Sequence, residues 1–206
     1  CITRQQFELE QPDSLLVSDM YISNPGAGPF EVQCHGNAET LSIVTSGGSE
    51  ERLVEINSVV RTVDAGEAAD FPLLGASTYL YNITDANGCI LTDEITITQP
   101  DAISLNETAT AIEKPRCFGE NTGSLQIQAL GGVKIDGMRY QYELTHLNIP
   151  PDLPFPFDEV RTLEGDVVVF ENLIAGEYEI AVYDRFTCIY TATKSIETDA
   201  QLAVTI

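Results

Sequence analysis

The sequence predicts an all-β chain built of tandem β-sandwich repeats. Three observations predict it. Cys-Ile recurs at Cys1-Ile2, Cys89-Ile90 and Cys188-Ile189, each time opening the same kind of stretch, at spacings of 88 and 99 residues. Such self-similarity marks an array of like units and has to be recognised before any fold is assigned. Apolar and polar residues alternate with a period of two, whereas helical periodicity is nearly absent. Glycine- and asparagine-rich turn signals punctuate the alternating segments at matched places.

Taken in order, residues 1–17 are the last strand of a preceding, truncated repeat. They run from Cys1-Ile2 through Phe7-Glu8-Leu9-Glu10 to Gln11-Pro12-Asp13. Residues 18–105 form the first full repeat. Its strands include Leu41 and Ile43, then Tyr79, Tyr81 and Ile83 alternating with Leu80, Asn82 and Thr84. The pair Gly47-Gly48 closes one strand, and Asp85-Ala86-Asn87-Gly88 turns the chain into Cys89, since Asn-Gly readily takes the positive φ of a tight hairpin. Residues 106–206 form the second. Leu125, Ile127 and Ala129, then Tyr140, Tyr142 and Leu144, then Tyr178, Ile180 and Val182 each share one face of a strand. Gly131-Gly132 stands where Gly47-Gly48 does, and Asp184-Arg185-Phe186-Thr187 keeps the aspartate of the hairpin but not its glycine. Units of about 90 to 100 residues suit single immunoglobulin-like sandwiches. A proline at the junction Gln99-Pro100-Asp101 stiffens it, so an elongated rod is expected.

The second repeat carries extra residues, mostly in Asn148–Phe157, where four prolines exclude a central strand. Leu153, Phe155 and Phe157 make this segment the candidate contact loop. A family-variable surface loop is the plainer alternative.

The composition bounds the partners. A net charge of −22, with only 10 basic residues, disfavours nucleic acid and anionic lipid, which both need clustered Lys and Arg. No run of 18 apolar residues exists, so no membrane-spanning helix is expected. No leader pattern opens the chain, and Cys1 stands in mid-pattern, so the chain reads as a slice of a longer array.

Five cysteines fit one disulfide per unit, Cys34–Cys89 and Cys117–Cys188, with Cys1 left over. Each bridge would add ~4 kcal/mol on the chain-entropy model and implies an oxidising compartment. Zinc would need closely spaced cysteines, and none are close. No nucleophile, phosphate-loop or metalloprotease motif is present, and His35 and His146 fall at unmatched positions. The chain is therefore not expected to be an enzyme and to need no cofactor. Calcium is the one candidate ion, with Asp85 and Asp184 as its candidate ligands. The competing role for both is to cap a turn. Asn82-Ile83-Thr84 and Asn106-Glu107-Thr108 match the N-glycosylation pattern.

Several blocks together resemble the SprB-type repeat of very large cell-surface adhesins in gliding Bacteroidetes. They are Cys117-Phe118-Gly119, Gly131-Gly132, Asn172-Leu173-Ile174-Ala175-Gly176-Glu177-Tyr178, Thr84-Asp85-Ala86-Asn87-Gly88-Cys89 and Ile97-Thr98-Gln99-Pro100. The first repeat departs from the pattern with Gly75-Ala76-Ser77-Thr78, and the second ends in Thr198-Asp199. The resemblance implies an extracellular filament exported by the type IX secretion system, anchored at the outer membrane and carried by the gliding machinery. Its repeats would be stiff spacers behind an adhesive tip, in contact with neighbouring repeats, other surface proteins or extracellular polysaccharide. Asp13-Ser14-Leu15 resembles the short O-glycosylation acceptor of Bacteroidetes, with Ser14 as the site. The competing function is a carbohydrate- or surface-binding sandwich. The absence of tryptophan and the inward-facing tyrosines count against it.

Overall fold

A computed structural model describes Arg4, residues 11–149 and residues 160–198. These residues form fifteen strands and no helix. The chain divides into two compact units. The first comprises Cys1–Val32 and Gly36–Gln99; the second comprises Gln33–His35 and Pro100–Ile206.

In unit 1, β1 (Leu16–Ile22), β2 (Glu39–Ser46) and β5 (Ala68–Leu74) make one sheet in the order β1-β2-β5. β3 (Arg52–Ile56), β4 (Val59–Val63), β6 (Ser77–Asp85) and β7 (Ile90–Ile97) make the other, ordered β4-β3-β6-β7. Every strand pairing is antiparallel. The alternation read from the sequence points inward: Leu41, Ile43, Val54, Ile56, Phe71, Tyr81, Ile83 and Ile97 are buried in one core fed by both sheets. Each such side chain contributes roughly 1.5–3 kcal/mol by leaving water. Two sheets sharing one core make a β-sandwich, and the strand order is that of the immunoglobulin-like arrangement.

Unit 2 has the matching plan. β8 (Ser104–Leu105), β9 (Ala111–Glu113), β10 (Gly123–Leu130) and β13 (Val167–Leu173) form the first sheet, with β10 at its centre. β11 (Tyr140–His146), β12 (Val160–Gly165), β14 (Gly176–Tyr183) and β15 (Ile189–Ile196) form the second, ordered β12-β11-β14-β15. Its core holds Leu125, Ile127, Tyr140, Tyr142, Leu144, Phe170, Tyr178 and Ile180.

The boundaries differ from those expected at 17/18 and 105/106. β1 begins at Leu16, and Leu16 and Val17 pair with Ser46 and Thr45, so they belong to unit 1. Leu105 pairs with Ala129 and belongs to unit 2. The change of unit comes between Gln99 and Pro100, where proline has no N–H with which to continue a ladder. Cys1 and most of the proposed remnant lie outside the described residues, as do Leu153, Phe155 and Phe157.

Candidate functional site: the aspartate corner and its cysteine

One constellation recurs in both units. In unit 1, β6 ends at Asp85, which is 4% exposed. Its Oδ1 accepts the N–H groups of Asn87 (3.0 Å) and Cys89 (2.8 Å). Its Oδ2 accepts the N–H of Ser49 at 3.0 Å and the Ser49 hydroxyl at 3.2 Å. The Cys89 N–H, above all other contacts, holds the Asp85 carboxyl below its usual range, against the opposing effect of desolvation; Ser49 and Asn87 add to the lowering. In unit 2, Oδ1 of Asp184 accepts from Phe186 (2.8 Å) and Cys188 (3.0 Å), and Oδ2 accepts from Val133 (2.9 Å). Each aspartate thus ties the turn into the last strand to the loop that follows the glycine pair.

This geometry bears on calcium. Both carboxylates are turned onto N–H donors, whereas a cation needs oxygens turned toward it. Among the described residues no group of three or more His, Cys, Asp and Glu converges as a metal centre would require. Asp85 and Asp184 are turn caps in this structure.

The glycine pairs follow from the same corner. The second glycine donates its N–H to the chain entering the unit: Gly48 to the Asp13 carbonyl at 2.8 Å, Gly132 to that of Asp101 at 2.7 Å. A Cβ on Gly47 would collide with the Ser14 carbonyl, and one on Gly131 with that of Ala102. Pro12-Asp13 and Pro100-Asp101 are therefore the entry straps of their units. The first glycine's carbonyl is satisfied by a side chain at the start of the next strand, but of a different type in each unit. Arg52 donates to Gly47, whereas the Tyr140 hydroxyl donates to Gly131 at 2.6 Å. Sequence comparison of the units could not find this pairing, because Arg and Tyr share only the donor.

The cysteines depart from the expected pairing. Cys34 is bonded to Cys188, with a Cα–Cα distance of 5.6 Å. Cys89 and Cys117 carry free thiols and are exposed. The expected bridges Cys34–Cys89 and Cys117–Cys188 are both replaced. The reason is the course of the chain: Gln33–His35 belong to unit 2, although unit 1 resumes at Gly36. There Cys34 lies on Cys188, the Gln33 carbonyl oxygen is 3.4 Å from the Cys188 sulfur, and His35 Nδ1 is 3.0 Å from the Pro100 carbonyl oxygen.

The structure gives two of the tyrosines a further role. Tyr79 donates its hydroxyl to the Gly75 carbonyl at 3.0 Å, and Tyr178 donates to that of Ile174 at 2.9 Å. Both sit near the start of the penultimate strand and bond four residues back, as in the tyrosine corner of immunoglobulin-like domains. Burial pushes the Tyr178 hydroxyl pKa far up. Beside it, His146 is 2% exposed and meets the Tyr178 ring edge-on at 4.6 Å. Its Nδ1 accepts the Asn148 N–H at 3.2 Å. A Cβ on Gly176 would overlap the His146 ring, so glycine at that site makes room for the histidine.

Burial lowers the His146 pKa, opposed by a hydrogen bond with the Ala175 backbone. The unfolded chain therefore binds a proton near its ordinary pKa of ~6.5 while the folded chain does not. Stability is then present above that pKa and is lost as pH falls through it. The urea midpoint of unit 2 is expected to drop between pH 7.5 and 5.5, and His146→Gln to flatten that slope. Equal slopes in the two proteins would refute the assignment.

The Ser14 side chain is exposed, in the strap beside Gly47. The amides of Asn82 and Asn106 are engaged, with Thr92 (2.7 Å) and Gln128 (2.8 Å) respectively.

No family model matches the chain, and no curated protein matches it. Among solved structures it is similar to a C-terminal 282-residue fragment of intimin, crystallised with the intimin-binding domain of the translocated intimin receptor. That likeness has a TM-score of 0.40 and 11% identity, over 85% of this chain and 64% of the fragment, so the chain spans less than two thirds of it. It is also similar to DIP-gamma IG1+IG2, with a TM-score of 0.39 and 12% identity, over 93% of this chain and 99% of that one. The sandwich assignment itself rests on the strand orders and the shared cores.

Proposed function

We propose that this chain is a spacer segment from the stalk of a giant secreted cell-surface adhesin, built of tandem immunoglobulin-like repeats. One observation carries the proposal. The corner of aspartate, glycine pair and entry strap occurs twice with the same donors and acceptors, at Asp85, Gly48 and Asp13 and again at Asp184, Gly132 and Asp101. The function that a repeated corner of this kind serves best is mechanical. The strap is locked to the unit it enters by a backbone hydrogen bond. The acidic surface, at −22 overall, favours solubility and repulsion between like filaments.

On this proposal the parent protein is extracellular, is exported by the type IX system and is carried by the gliding machinery, as the SprB-type resemblance implies. Its partners are neighbouring repeats and, through the tip, other surface proteins or polysaccharide. Ser14 is the proposed O-glycosylation site. Calcium is not required, so millimolar calcium is expected to leave the melting temperature unchanged. Excising this segment from the parent protein should shorten the surface filament and leave its ligand specificity intact. Binding of the isolated chain to a glycan array would overturn the spacer role in favour of a carbohydrate-binding sandwich.

A further inference from the structure

Cys89 and Cys117 stand at places along the chain that match those of Cys188 and Cys34. Cys89 follows the Asp85 cap as Cys188 follows Asp184, and in both cases the aspartate Oδ1 accepts the cysteine N–H. Cys117-Phe118-Gly119 makes the same turn as Cys34-His35-Gly36, with Gly119 at φ +80° and Gly36 at φ +79°. Both halves of the Cys34–Cys188 bridge are thus present a second time, with free and exposed thiols.

The surroundings match as well. A cleft of about 460 Å³ in unit 1 is lined by Pro12, Asp13, Asp85, Cys89 and Ile90, among others. In unit 2 the corresponding place, beside Pro100 and Cys188, is where Gln33–His35 lie. Phe118, which stands where His35 does, is 56% exposed, and Ile90 at the rim of the cleft is 68% exposed.

We propose that Cys89 and Cys117 are the two halves of a disulfide between two copies of this chain, in which the Cys117 turn of one copy seats in the cleft beside Cys89 of the other. The inference rests on the equivalence of the cysteine positions and not on the adhesive role, so it can fail while the spacer function stands.

The bond forms by exchange with a small disulfide. The Cys117 thiolate attacks oxidised glutathione and releases one glutathione thiolate. The Cys89 thiolate then attacks the Cys117 sulfur of the mixed disulfide and releases the second. The two protons lost by the protein thiols pass to the two departing thiolates, and the small disulfide is the oxidant.

A second copy of this chain supplies the partner unit for the test. In a Cys1→Ser background, Cys89→Ser and Cys117→Ser variants are incubated in a glutathione redox buffer, separately and as an equimolar mixture. Dimers are quantified on non-reducing gels and their cross-links mapped by peptide mass spectrometry. If the turn docks in the cleft, the mixture gives a Cys117–Cys89 dimer on the order of tenfold more than either variant gives alone, because docking raises the effective thiol concentration. Gly119→Val, which disfavours the positive-φ turn, should reduce that yield. Like-with-like dimers in equal amount, no mixed dimer, or rearrangement to Cys34–Cys89 and Cys117–Cys188 would each overturn the proposal.

Discussion

Asp184→Ala is expected to destabilise unit 2 by about 3–5 kcal/mol. The substitution removes the acceptor of three backbone N–H groups, those of Val133, Phe186 and Cys188, at a site only 3% exposed. A buried donor left without a partner costs about 1–3 kcal/mol, and three in one turn do not add fully because the loop relaxes toward water. For a domain of this size the loss should lower the melting temperature by roughly 15–25 °C. Asp184→Asn keeps an acceptor at Oδ1 but turns an amide N–H toward a donor at Oδ2, so a smaller loss of about 1–2 kcal/mol is expected. Thermal unfolding followed through the tyrosines buried in unit 2 measures both. A change below about 1 kcal/mol for the alanine variant would mean that the carboxylate is not the support of the corner.

Gly131→Ala should cost about 2–4 kcal/mol through two separate causes. The backbone there has φ +76°, which alanine disfavours by roughly 1–2 kcal/mol. The new methyl would also overlap the Ala102 carbonyl. The atom in the way is backbone, so the strap must move, and with it the 2.7 Å bond from Gly132 to Asp101 and the short β8 pairing with β10. Gly137→Ala provides the control, because Gly137 has φ +71° but open space around its Cβ position. Its cost should be about 1 kcal/mol. If the two variants unfold at the same urea concentration, the close approach of strap and glycine is not what requires Gly131.

These effects centre on residues that the sequence already singled out, although not always for the right role. The alternation at Tyr140, Tyr142 and Leu144 indicated which face of the strand would be buried, and all three are in the core. The matched aspartates and glycine pairs indicated corresponding turns in the two units. The sequence did not reveal that these features form one corner. The Asp13 and Asp101 carbonyls meet glycines far along the chain, and backbone acceptors leave no mark on residue type. The tyrosine corner does leave a local mark: the block Asn172-Leu173-Ile174-Ala175-Gly176-Glu177-Tyr178 contains both ends of the bond from Tyr178 back to Ile174.

By itself the sequence determined the all-β class, the inward faces of the strands and the equivalence of the positions of Cys34 with Cys117 and of Cys89 with Cys188. Each of these depends on local periodicity or on spacing, which the order of residues carries directly. Only the tertiary structure decided the change of unit at Gln99/Pro100, the burial of His146 against Tyr178 and the choice of Cys188 as the partner of Cys34. Equivalent positions alone do not decide which of the two matching cysteines each one meets. A disulfide forms where two Cα atoms come within about 4.4–6.8 Å, and that depends on the path of Gln33–His35 through space.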